Sequence, residues 1–317
     1  MGKYDIIVVN GHGVGEYCDV KRIPVAGETA RASNRRFEED AGKGTNVAVA
    51  IARMGGKVAF LGKAGDDPAG KLGEKWMREA GVDISHFWLD PSIETDLGLV
   101  VVAEDGTNLC IDFDDDRNNL QVDEAREHLP QMVGEARYLI SGFSVSKETG
   151  LFAVKYGKEL GLTTMFNPSP LVEGTEFPEM PFVDYLFVNE TEAHIMMDLP
   201  KEQSIEDYMD IAKAIRERYK VGTVIITLGS EGSIAYDGKD TIRVPARKVQ
   251  MVDQTGAGDG YMAAVTWRLS EGAKLGDAMK WASVYCGYLV TQFGSLGSYP
   301  EKAVIDTLFS GLQDAVG

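Results

Sequence analysis

Short apolar runs alternate with amphipathic stretches along most of the chain. Residues 4–10 read as a buried strand, and 47–54 carry helical spacing closed by Gly55-Gly56. Residues 58–62 form the next strand. The turn Gly65-Asp66-Asp67-Pro68 then opens a helix over 69–80 that stops at Gly81. The same rhythm returns with strands at 138–140, 163–166, 185–188 and 223–227, and helices at 147–160 and 205–219. A strand-like run at 241–245 and helices at 257–270, 274–292 and 301–313 finish the chain. Strand, helix, strand, helix in this order predicts right-handed crossovers and a mostly parallel sheet. Two segments break the rhythm. Residues 16–40 alternate weakly and are rich in charge, as exposed strands of a flap would be. Residues 97–102 and 109–111, joined by the turn Glu104-Asp105-Gly106, read as a β-hairpin.

Composition sets bounds on this picture. The 317 residues are 44% hydrophobic and 26% charged, enough for a substantial core in one large domain or two. A formal charge of −17 argues against nucleic acid or anionic membrane as the main partner. Cys18, Cys110 and Cys286 are far apart and form no CxxC pair, and the four histidines stand singly, so neither a disulfide framework nor a zinc site is expected. With no signal-peptide pattern and no apolar run of membrane-spanning length, the simplest expectation is a cytoplasmic protein.

The candidate chemistry centres on Asp253-Gln254-Thr255-Gly256-Ala257-Gly258-Asp259, which opens a helix. Small residues at 256–258 let backbone N–H groups turn toward one point, where the helix dipole adds positive potential. Asp259 would then stand beside a bound phosphate, a costly place for a carboxylate unless it takes a proton from an attacking hydroxyl. The plainer reading is a helix N-terminus capped by Thr255 or Asp253. Asp40-Ala41-Gly42-Lys43-Gly44-Thr45-Asn46 is a second glycine-rich helix start. It reads either as a simple turn or as a cradle in which Lys43 and Asn46 offer hydrogen bonds to a hydroxylated ligand. Gly11-His12-Gly13-Val14-Gly15 lacks the GxGxxG spacing and the following helix of a dinucleotide fingerprint. Two strands end in Asn167-Pro168-Ser169-Pro170 and Asn189-Glu190-Thr191-Glu192. Asn189 and Glu192 suit waters on Mg²⁺, or a helix cap with an acidic first turn. The run Asp112-Phe113-Asp114-Asp115-Asp116 is a solvated loop or a lid edge near substrate or cation.

Taken together, GKGTNVAVAIARMGG (42–56), GDDPAG (65–70), NPSP (167–170), NETE (189–192), TLGSEG (227–232) and DQTGAGDG (253–260) resemble the ribokinase-like (PfkB) carbohydrate kinase family over nearly the whole of 1–317. The resemblance implies a three-layer α/β sandwich around a mostly parallel sheet. It also implies a small β-sheet lid built from about 12–40 and 88–118, whose exposed edges leave pairing into a homodimer open. It implies transfer of the ATP γ-phosphoryl group to a hydroxyl of a sugar or polyol, with Mg²⁺. Carried over by position, Asp259 looks like the base, and the amides of Gly256, Ala257 and Gly258 like the anion hole. Gly42, Lys43 and Asn46 look like the sugar cradle. Asn189, Thr227, Gly229 and Gly232 resemble the nucleotide contacts, and Glu192 the group that holds Mg²⁺ through water. Asp253 and Ser298, with carbonyls of Thr255, Leu289, Gln292 and Gly294, resemble a site for a monovalent cation such as K⁺.

Three departures from the family pattern touch the sugar pocket. Glu16, or Asp19, stands in for an aspartate after the first strand, and Ala41 replaces a glycine. Ser141-Gly142-Phe143-Ser144 stands where an acidic contact is usual. These point to a neutral polyhydroxy substrate, with free ribose not clearly the best, contacted by Glu16 and Phe143. A nucleoside is the alternative, with Phe113, Phe143 or His12 stacking on the base. A sugar phosphate would need Arg31, Arg35 and Arg36. A non-catalytic ligand sensor would have no use for Asp259.

Overall fold

The structure, a computed structural model, describes residues 4–37, 40–104, 108–113, 115–134, 136–200 and 205–313. The chain enters through β1 (Ile6–Val9), whose four residues are all buried. It leaves the core for β2 (Gly13–Val20) and β3 (Ser33–Arg36), then returns through α1 (Gly42–Arg53), β4 (Val58–Gly65), α2 (Pro68–Ala80) and β5 (Asp83–Asp90). A second excursion forms β6 (Asp96–Ala103) and β7 (Asn108–Phe113). Then come α3 (Val122–Met132), β8 (Tyr138–Gly142), α4 (Lys147–Glu159), β9 (Thr163–Asn167), β10 (Tyr185–Asn189), α5 (Glu190–Met197), α6 (Ile205–Tyr219) and β11 (Thr223–Thr227). The hairpin β12 (Ser233–Tyr236) and β13 (Thr241–Val244) precedes α7 (Ala257–Ser270), α8 (Leu275–Leu289) and α9 (Lys302–Gln313).

Nine strands form one sheet in the order β13-β12-β11-β10-β9-β8-β1-β4-β5, parallel from β11 to β5 and antiparallel at the β12–β13 edge. Alternation along β1 divides the core. Ile6 and Val8 pack with α1, α2, α7, α8 and α9, while Ile7 and Val9 pack with α3, α4, α5 and α6. The result is the expected three-layer α/β sandwich. The strands β3-β2-β6-β7 make a separate small sheet with its own apolar cluster of Val20, Val101 and Ala103.

Several boundaries differ from the sequence reading. Residues 88–90 end β5 in the large sheet and do not belong to the small one. Helix α1 begins at Gly42, so Lys43 and Asn46 ride on the helix itself. Helix α8 stops at Leu289, three residues short of the expected 292. Asp105 and Gly106 of the expected turn, and Asp114 of the acidic run, lie outside the described residues.

Candidate active site

Parallel strands place their carboxyl ends, and the loops after them, on one side of the sheet. The small sheet faces that side, and between them lies a cavity of about 260 Å³. Its walls include Gly13 and Gly15 of β2, Gly98 and Val100 of β6, and Cys110 and Asp112 of β7. A smaller cavity of about 70 Å³ lies beside it, against Asn167, Asn189 and Thr227 at the ends of β9, β10 and β11. Lys43 and Asp259 line both cavities.

Asp259 owes its position to the start of α7. Gly256 holds φ +74°, and a Cβ there would meet Ser295 Cβ at 2.5 Å and Tyr299 Oη at 2.6 Å, so glycine is required. Tyr299 donates its hydroxyl proton to the Gly256 carbonyl at 3.0 Å. No side chain caps this helix. Asp253, one of the two expected caps, accepts instead from the Thr255 amide (2.9 Å), the Thr255 hydroxyl (2.8 Å) and the Gly294 amide (2.9 Å). The Ala257 amide donates to the Gln254 carbonyl at 3.1 Å and so is spent within the turn, contrary to its expected place in the anion hole. Gly258 and Asp259 follow in the first turn, where amides have no partner within the helix and the dipole is positive.

The Asp259 carboxylate keeps a window onto the cavity. Burial pushes its pKa up to about 6, against the opposing pull of Lys43 and the Asn46 hydrogen bond, while Asp40 and Glu192 push the same way as burial. Lys43 is shifted the other way round. Burial opposes its charge, but Asp259, Glu192, Asp40 and Asp112 outweigh it and hold the ammonium above the ordinary lysine range. Asn46 donates to Asp40 Oδ1 at 2.7 Å and to Asp259 Oδ2 at 3.0 Å. Both hydrogens of its amide are therefore used, so it bridges two carboxylates and is not the free ligand donor expected from sequence. His12 is buried, with Nε2 3.1 Å from the Ala69 carbonyl and Nδ1 2.9 Å from the Thr45 hydroxyl. A carbonyl only accepts, so Nε2 carries the proton and Nδ1 accepts. Burial lowers the pKa of this ring and keeps it neutral.

On the side of the smaller cavity, Asn189 and Glu192 form a reciprocal capping box. The Glu192 amide donates to Asn189 Oδ1 at 2.8 Å, and the Asn189 amide to Glu192 Oε2 at 2.9 Å. Glu192 is only 5% exposed, yet it lines the cavity. Among the described residues no group of three or more His, Cys, Asp or Glu could hold a metal. One fixed carboxylate beside Asn189 nevertheless fits Mg²⁺ held through water and phosphate oxygens, which needs no protein cage.

The sequence profile of the pfkB family carbohydrate kinases matches residues 14–302. The chain belongs to this family. It is a phosphotransferase with an alcohol group as acceptor. The kinase is 28% identical over 299 residues to ribokinase of Lactococcus lactis, covering 92% of each chain. It is 26% identical over 302 residues to deoxyribokinase of Salmonella typhi, covering 94% of this chain and 96% of the relative. Among solved structures, ribokinase of Cryptococcus neoformans in complex with ADP superposes with a TM-score of 0.77 at 25% identity, covering 96% of this chain and 99% of that one. Ribokinase of Giardia lamblia gives 0.87 at 23% identity, a likeness of fold, over 98% and 100% of the two chains.

Within the kinase, Gly42, Lys43, Asn46, Phe143, Thr255, Gly256 and Asp259 of the expected residues meet at the larger cavity, and Asn189, Glu192, Thr227 and Gly258 at the smaller. Glu16 and Phe113 meet at neither. Glu16 pairs instead with Arg35 of the neighbouring strand β3. Side chains alternate along β7, so Cys110 and Asp112 face in, while Phe113, 60% exposed, faces out. Asp19 is engaged by Arg36 and Asn34, and neither Asp19, Arg35 nor Arg36 lines either cavity. Gly229 and Gly232 line neither cavity. A Cβ at Gly232 would lie 2.0 Å from the Val244 carbonyl, so this glycine answers to packing against β13. In the expected cation set Asp253 joins directly to Thr255 and to Gly294. Ser298 donates to the Ser295 carbonyl at 2.7 Å, and the Leu289 carbonyl accepts from the Gln292 amide at 2.9 Å. The sequence reading passed over Asp40, Asp96 and Asn119, which line the larger cavity. Only Asp40, next to the glycine-lysine turn, carried a local signal.

Proposed function

We propose that this kinase transfers the γ-phosphoryl group of ATP to a hydroxyl of a neutral sugar or polyol held in the larger cavity. The observation that carries this reading is that Asp259 and Lys43 line both cavities, so a hydroxyl in one and a phosphate in the other would meet at these two side chains. Asp259 takes the proton as the hydroxyl oxygen attacks phosphorus. Lys43 and the first-turn amides of α7 face the negative charge that develops on the transferring group. Mg²⁺, held near Glu192 and Asn189 through water, would neutralise phosphate charge when bound. The small sheet acts as a lid that keeps water from the reacting atoms. ATP as the donor is supported by the ADP complex of the Cryptococcus neoformans relative.

The charge of the larger cavity favours a neutral acceptor. Among the described residues, Asp40, Asp96, Asp112, Asp116 and Asp259 line it against a single cation, Lys43. A phosphate at the far end of the substrate would be repelled. Phe143 closes one wall, edge-on to Phe166 at 5.3 Å and stacked on Phe177 at 5.9 Å between ring centroids. That apolar wall favours a ligand with a bare face, and it leaves a nucleoside as the second reading. We further propose activation by K⁺ near Asp253, and pairing of two copies through the outer face of the small sheet, where Leu109, Ile111 and Phe113 are exposed.

The test is purified protein with ATP and Mg²⁺ against ribose, fructose, inositols, deoxy sugars, nucleosides and sugar phosphates, in K⁺ and in Na⁺ at equal ionic strength. A neutral sugar or polyol should give the highest kcat/KM, with ribose not ahead of every other compound by more than about tenfold, or 1.4 kcal/mol. A sugar phosphate as best acceptor overturns the charge argument, and a nucleoside selects the second reading. Equal rates in the two salts remove K⁺, and a monomer by analytical ultracentrifugation removes the pairing.

A further inference from the structure

Asp40 has no part in the chemistry just described, yet it stands at the meeting point of four parts of the chain. Its backbone carbonyl accepts from the Gly15 amide of the small sheet at 2.9 Å. Its side chain lies so close to β2 that a Cβ at Gly15 would be 2.8 Å from Asp40 Cβ. Its Oδ1 accepts from Asn46 Nδ2 at 2.7 Å and from the hydroxyl of fully buried Ser295 at 2.8 Å. Ser295 is also the residue against which Gly256 packs at the start of α7. The other hydrogen of the Asn46 amide goes to Asp259 Oδ2. Asp40 thus fixes the rotation of the Asn46 carboxamide, and that carboxamide fixes one oxygen of Asp259.

We propose that Asp40 is a positioning residue for Asp259, acting through Asn46, and that it ties the seating of the small sheet to the aim of the carboxylate. A neutral acceptor in its place would satisfy Asn46 equally well. The carboxylate adds a second effect, because a negative charge one side chain away makes Asp259 a stronger base. The other charged groups facing Asp259 are Lys43 on α1 and Glu192 on α5, and Tyr299 packs nearby from the turn before α9. Lys43 opposes Asp40, and Glu192 acts in the same direction. The sign is therefore fixed: neutralising Asp40 lowers the pH at which Asp259 takes up its proton.

The inference rests on Asp259 being the base, and the experiment separates the two. Protein labelled with carboxyl-¹³C aspartate is titrated by NMR without substrate, and the resonance missing in Asp259→Asn identifies Asp259. In Asp40→Asn that resonance should titrate at lower pH, and in Asp40→Glu it should stay near its parental position. Turnover of ATP with the acceptor giving the highest kcat/KM follows the same division. Asp40→Asn should move the acid limb of the rate profile to lower pH. Asp40→Glu should keep the limb but lose roughly tenfold in kcat, since only placement has changed. Asp40→Ala, which removes the charge together with the acceptor for Asn46 and Ser295, serves for the titration in place of Asp40→Asn should that variant not fold. An unmoved Asp259 titration in both neutral variants overturns the role of Asp40. Undiminished turnover in Asp259→Asn overturns the base instead, and leaves the titration result standing on its own.

Discussion

Asp259 carries the proposed chemistry in a place where a carboxylate is costly. Between the ordinary aspartate value and about 6 the folded chain holds a proton there that the unfolded chain releases. Stability therefore falls as pH rises through that window, and the whole penalty is in force above it. Asp259→Asn has no charge to bury. It should melt a few degrees above the parent at pH 7.5 by scanning calorimetry and lose that advantage at pH 4. A variant that melts lower at pH 7.5 would mean that Lys43 and Asn46 stabilise the carboxylate more than burial opposes it. At this scale the sequence announced the residues whose neighbours are local. Asp259 follows its own glycine turn, and Lys43 sits in another. Phe113 misled because its role depends on parity, and a shift of one residue along a strand moves a side chain to the other face. Glu16 misled because its partner, Arg35, comes from a neighbouring strand. No local pattern says which face of a small, half-exposed sheet looks at the ligand.

The helix start of α7 is the element on which the site depends, and its glycines answer to different constraints. Gly256 needs its positive φ and has no room for a methyl group, whereas a Cβ at Gly258 meets nothing within 4 Å. Gly256→Ala should destabilise the fold by about 1–3 kcal/mol, from backbone strain alone. Gly258→Ala should keep or slightly raise the melting temperature, since alanine favours a helix over glycine by about 1 kcal/mol. It should still lower turnover, because the methyl group stands at the smaller cavity. Equal melting temperatures for the two variants would remove the argument from packing. Helix α6 was legible in sequence because its apolar spacing repeats over fifteen residues, and β11 because its short apolar run is buried almost throughout. The strand β5 was not, since its residues are mostly half-buried at the sheet edge and show no clean alternation. Nor was β12, four residues long, or α3, which carries Pro130 inside it.

At the scale of the molecule, two sheets enclose the larger cavity. The large sheet presents strand ends and the α7 turn, and the small sheet covers them with the inner faces of β2, β6 and β7. The sequence showed this division as two breaks in an α/β rhythm. It did not show that the ends of α1 and α7, more than two hundred residues apart, meet through Asn46 and Asp259. That contact is long-range, and only the closed sandwich brings it about. The central claim is that proton removal by Asp259, at the junction of the two cavities, drives phosphoryl transfer. It is tested most directly by ADP release from ATP and Mg²⁺, with the acceptor of highest kcat/KM, in the parent and in Asp259→Asn. The account predicts a fall in kcat of roughly 10²–10⁴-fold with ATP affinity little changed. Turnover of the variant within a few-fold of the parent would contradict it.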